Sequence, residues 1–60
     1  MTAKKVLLVD DEEDFVEIVG TELEAEGFEV ISAYSGDEAR EKALTEEPDA
    51  IILDVMMETE

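Results

Sequence analysis

The sequence predicts an α/β fold built on a parallel sheet, in the order strand, helix, strand, helix, strand. Three observations predict it. Val6-Leu7-Leu8-Val9 is a continuous apolar run, the pattern of a strand buried on both faces, and Ala50-Ile51-Ile52-Leu53 is a second apolar run. A third short strand-like segment, Phe28 to Ala33, lies between them. The two intervening stretches carry helical start and stop signals, and helices between short apolar strands favour parallel pairing with right-handed crossovers.

The first strand is expected from Lys5 to Asp10. A short buried helix could share its four apolar letters, but the acidic cluster that follows has the character of a helix N-terminus. Asp11-Glu12-Glu13-Asp14 supplies carboxylates that can cap free N–H groups and complement the helix dipole. That helix is expected from about Glu12 to Glu26, with Phe15, Ile18, Val19 and Leu23 on one stripe and Glu17, Glu22, Glu24 and Glu26 facing water. Gly27 suits the residue just past the helix end. Gly20, inside the helix, costs up to ~1 kcal/mol against alanine, and close packing is its only evident reason.

The second strand, Phe28 to Ala33, alternates only in part, Phe28 and Val30 against Glu29 and Ser32, which suits an edge strand with one wetter face. Ser35 with Glu38 three residues later has the form of a capping box. The second helix is expected to run to about Glu46 with a thin stripe of Ala39, Ala43 and Leu44, and Pro48 stops it. The third strand ends at Asp54. No internal repeat or low-complexity linker interrupts this order.

Length and composition bound the function. Sixty residues make one small domain at most, and a chain of this size buries only ~60% of the surface that its unfolded form exposes. With no cysteine and no histidine, disulfides, thiolate sites, imidazole bases and His-ligated zinc are excluded. A bound metal would be held by oxygen, which favours magnesium, calcium or manganese. The net charge of −15 argues against nucleic acid and anionic membranes as direct partners. No run approaches the ~20 apolar residues of a membrane span, and Met1 to Lys5 leads straight into the first strand without a signal-peptide pattern. The expected location is the cytoplasm.

Parallel strands end on one edge, where open α/β sheets place their ligands. Strand one ends at Asp10, followed by Asp11, and strand three ends at Asp54. If the two strands are neighbours, their ends lie ~4.8 Å apart. A divalent cation would relieve the repulsion among three carboxylates, and Asp54 could then attack phosphorus as a carboxylate nucleophile. Asp10 and Asp11 could equally cap the first helix while Asp54 ends its strand in a turn. The residues alone leave both readings open.

Val6-Leu7-Leu8-Val9-Asp10-Asp11-Glu12, followed by Ala50-Ile51-Ile52-Leu53-Asp54-Val55-Met56-Met57, resembles the receiver domain of two-component response regulators, and Tyr34-Ser35-Gly36-Asp37-Glu38-Ala39 is similar to a segment that such domains carry. The resemblance covers nearly the whole chain. It implies a partial flavodoxin-like (CheY-like) doubly wound sheet, β-α-β-α-β with strand order 2-1-3, so that residues 1–60 form the N-terminal half of a receiver. It implies magnesium positioned by Asp10 and Asp11, phosphorylation on Asp54, and a metal shell completed by Asp54 and the backbone carbonyl of Met56. The implied partner is a sensor histidine kinase or phosphotransfer protein. Phe15, Val16 and Val19 lie near the helix it would use, Val16 as the surface candidate and Phe15 and Val19 as core.

The chain departs from the family's pattern in two ways. Glu58 stands after Met57 where proline is usual, and the family's strand-four Ser/Thr and strand-five Lys have no counterpart. Lys4, Lys5, Arg40 and Lys42 are not expected at the acidic edge. An open third strand predicts self-association through Ile51, Ile52 and Leu53. The chain is accordingly expected to be a phosphoacceptor module and not an enzyme. Two alternatives stand beside this: a self-associating structural fragment without chemistry, or an aspartate-nucleophile phosphohydrolase. The second is disfavoured because Met56 occupies the place of that class's second acid.

Overall fold

A computed structural model describes residues 3–53. It contains β1 (Lys5–Val9), α1 (Glu13–Ala25), β2 (Glu29–Ala33), α2 (Gly36–Glu46) and β3 (Ala50–Leu53). The strands form one parallel sheet in the order β2-β1-β3, as the resemblance implies. β1 pairs from Lys5↔Glu29 to Val9↔Ala33 on one side and from Val6↔Ala50 to Val9↔Leu53 on the other. As the central strand it has no free edge, and Val6 to Val9 are all buried.

Side-chain alternation divides these residues between two layers. Leu7, Val9 and Ala33 form a cluster covered by Ile31 and by Ala39 and Ala43 of α2. Leu8 and Val30 lie on the other face, under Gly20 of α1. A Cβ built at Gly20 would meet Val30 Cγ1 at 3.5 Å and Leu8 Cδ2 at 3.9 Å, which is ordinary contact.

The helix ends follow from local chemistry. Phe28 N–H donates to Leu23 O and Gly27 N–H to Glu24 O, with Gly27 at φ 103°, a Schellman motif that only glycine enters without strain. At α2, Ser35 Oγ accepts from Glu38 N–H at 3.1 Å. The Glu38 carboxylate reaches back to the Tyr34 N–H at 2.9 Å, one residue earlier than in the usual capping box.

Several sequence expectations are corrected. The buried stripe of α1 is Val16 and Gly20, with Val19 and Leu23 partly covered. Val16, expected at the surface, is only 2% exposed, whereas Phe15 is exposed and Ile18 is 62% exposed. The cause is the placement of the helix. Glu13, Glu17 and Glu24 line a groove with Val30 and Ser32 of β2 and with Tyr34 just beyond it. The opposite flank, which carries Phe15 and Ile18, therefore lies away from β2. Among the described residues α1 packs on β2 and β1 but not on β3, so nothing covers that flank. Leu44, expected in the stripe of α2, is exposed, whereas Ala39 and Ala43 pack on the sheet. β2 is an edge strand, as expected, in which Val30 and Ser32 share one face and Ile31 and Ala33 the other, the latter packed in the cluster under α2. The N-cap residue Glu12 makes no side-chain capping bond; Asp10 Oδ1 instead accepts the Glu12 N–H at 2.9 Å.

Candidate functional site

The site is built at the carboxyl edge of the sheet. Register pairing of Val9 with Leu53 brings β1 and β3 to an end together. Asp10 follows β1 directly. Its backbone N–H donates to Ala33 O at 3.1 Å, which extends the ladder with β2 by one bond and holds the residue in place. Its side chain is buried at 2% exposure among apolar strands, and Oδ1 accepts from Glu12 N–H. A buried carboxylate needs such partners, and one backbone donor leaves acceptor capacity on a group with about four lone-pair sites. Asp11 is exposed at the start of the next loop. With Glu12, Glu13 and Asp14 it lines an open hollow of about 400 Å³.

The structure thus places two sequence-predicted site residues, Asp10 and Asp11, at the expected edge. Asp54 and Met56 lie outside the described residues. Among the described residues alone, no group of three or more Asp, Glu, His or Cys ligands is gathered. The donors present are hard carboxylate oxygens, a set that suits magnesium.

Two lysines are engaged elsewhere. Lys5 sits at the amino end of β1, where its Nζ donates to Glu46 O at 3.0 Å and lies 3.7 Å from Glu46 Oε1. Its backbone N–H donates to Asp49 Oδ2 and its carbonyl accepts from Asp49 N–H, which ties the entry of β3 to β1. Lys42 Nζ donates to Ser32 O at 2.6 Å and pairs with Glu38 Oε2 at 3.1 Å. The Glu38 carboxyl is held below the ordinary glutamate range, first by the Tyr34 N–H and then by Lys42. The Ser35-to-Glu38 spacing signalled the cap; the part Lys42 plays was not foreseen.

Comparison with known proteins gives a consistent result. Residues 6–60 match the response regulator receiver domain. The alkaline phosphatase synthesis transcriptional regulatory protein PhoP of Bacillus subtilis is 54% identical over 54 residues, which make up 90% of this chain and 22% of that protein. The chain therefore spans about a fifth of the length of this curated relative. No helix among the described residues is long and apolar enough to cross a membrane.

Proposed function

The chain belongs to the response regulator receiver domain family, and from that premise we propose that it is a cytoplasmic phosphoacceptor module of a two-component system, modified on Asp54. The observation that carries this reading is the buried Asp10 at the carboxyl edge, where β1 and β3 end in register. Magnesium would be held by Asp10, Asp11, Asp54 and the Met56 carbonyl, and when bound it offsets negative charge around the phosphoryl oxygens.

A sensor histidine kinase or phosphotransfer protein is the donor in this reading. A carboxylate oxygen of Asp54 forms an O–P bond as the P–N bond of the donor phosphohistidine breaks. The imidazole nitrogen leaves with the electron pair and takes up a proton from solvent. The exposed Phe15 and Ile18 on α1 offer apolar surface for that partner. Asp10 stays in place through its backbone bond to Ala33 O and its contact with Glu12 N–H. The chain accepts a group once per cycle and is not proposed to turn over substrate as an enzyme. Its charge of −15 opposes direct contact between this segment and nucleic acid.

The test is incubation with a small-molecule phosphoryl donor, with and without magnesium, followed by intact-mass measurement. The native chain should gain one phosphoryl group only with magnesium, and Asp54→Asn should gain none. Equal labelling of Asp54→Asn would overturn the reading.

A second reading concerns assembly. Every residue of β3 is exposed, Ile51 by 54%, and exposed apolar edges recruit strands. We propose self-association through β3. Sedimentation velocity tests it, and a well-folded chain that stays monomeric at every concentration would refute it.

A further inference from the structure

The two outer edges of the sheet are not equivalent, because α2 treats one of them in a way that the capping box alone does not explain. Glu29 N–H donates to Lys4 O at 2.8 Å and Asp10 N–H donates to Ala33 O at 3.1 Å. Backbone groups alternate sides along a strand. Glu29, Ile31 and Ala33 therefore turn their amides and carbonyls toward β1, while those of Val30, Ser32 and Tyr34 point outward from the edge. Two of these outward groups are taken by side chains of α2. The Ser32 carbonyl accepts from Lys42 Nζ at 2.6 Å, and the Tyr34 N–H donates to Glu38 Oε1 at 2.9 Å. Glu38 and Lys42 are one helical turn apart and bridge each other at 3.1 Å, so the two caps form one clamp.

We propose that the Glu38–Lys42 pair is an edge guard that closes β2 to strand addition. An incoming strand gains its affinity from a run of outward N–H and C=O groups. With the Ser32 carbonyl and the Tyr34 amide occupied, the outward groups left are the two of Val30, the Ser32 N–H and the Tyr34 carbonyl. The run is interrupted in its middle, too broken for a ladder, and two long charged side chains lie across the path. The guard is independent of phosphorylation at Asp54, and it directs any strand pairing to the opposite edge.

Residue-resolved hydrogen exchange, read across a concentration series, tests the guard. In the native chain the Tyr34 amide should exchange about tenfold more slowly than the Val30 amide after correction for intrinsic rates, the order of effect a charge-assisted hydrogen bond produces. Neither Val30 nor Ser32 should gain protection as concentration rises. In Glu38→Ala/Lys42→Ala the slowing at Tyr34 should vanish, and Val30 and Ser32 should become protected with concentration. Protection at Leu8 in β1 reports that this variant is folded. Equal exchange of Tyr34 and Val30 in the native chain overturns the proposal. So does a folded double variant whose Val30 and Ser32 exchange is independent of concentration. If the double variant does not fold, the native comparison of Tyr34 with Val30 decides.

Discussion

The edge at β2 and the edge at β3 belong to the same parallel sheet and flank the same buried strand, yet they are finished differently. At β2 the outward carbonyl of Ser32 and amide of Tyr34 are engaged by Lys42 and Glu38. At β3 the Asp49 N–H donates to Lys5 O at 2.7 Å, so by alternation Ile51 and Leu53 face β1 and the backbone groups of Ala50 and Ile52 point outward. No side chain among the described residues caps them, and the strand's side chains are exposed on both faces. A sheet edge is thus not a property of strand sequence alone. It is open or closed according to what a neighbouring helix reaches over it.

The comparison can be broken most severely at its shared support. Leu8 lies between the edges and is fully buried. Leu8→Ala should cost about 2–5 kcal/mol, enough to abolish the cooperative thermal transition of so small a domain, as circular dichroism would report. A smaller effect is expected on the open side alone. Ile52→Lys places a charge on the β3 edge and should weaken self-association about tenfold, ~1.4 kcal/mol, in sedimentation experiments. A charge at that site that leaves association unchanged would mean that β3 is not the contact.

Gly20→Ala sharpens the comparison from the helix that covers β2 and β1. The added methyl meets Val30 at ordinary contact distance, so the helix gains up to about 1 kcal/mol and the denaturant midpoint should rise. A fall would show that the methyl does not fit against Val30 and Leu8. The smallest effect is on the closed side. Because the Glu38 carboxyl titrates below its ordinary range, the ionised guard adds stability that is present above the ordinary glutamate value. That stability is lost as pH falls through the lowered one. The Tyr34 amide should lose its protection over that acidic window. Protection that persists well below it would assign the bond elsewhere.

Much of this architecture is legible in the letters. The runs Val6 to Val9 and Ala50 to Leu53 identify two strands because short uninterrupted apolar runs suit a parallel sheet, although only β1 is covered on both faces. Gly27 and the Ser35-to-Glu38 spacing mark helix ends because those positions demand a positive φ or a particular acceptor. At the site, Asp10 and Asp11 are found at the edge where the strand reading put them. The face of α1 was not legible. Val16 follows Phe15 by one residue, ~100° around the helix, and both are apolar. The larger side chain drew the expectation while the smaller one is buried.

By itself, then, the sequence determined the order of strands and helices, their ends and the acids available at the carboxyl edge. These depend on local backbone chemistry and on burial periodicity, which neighbouring residues carry among themselves. Tertiary structure decided which arc of α1 meets the sheet, the one that carries Val16 and Gly20. It also decided that Lys42 would reach the outward carbonyl of Ser32. Both depend on distances between elements, and those are set by the packing of β1 between its two helices.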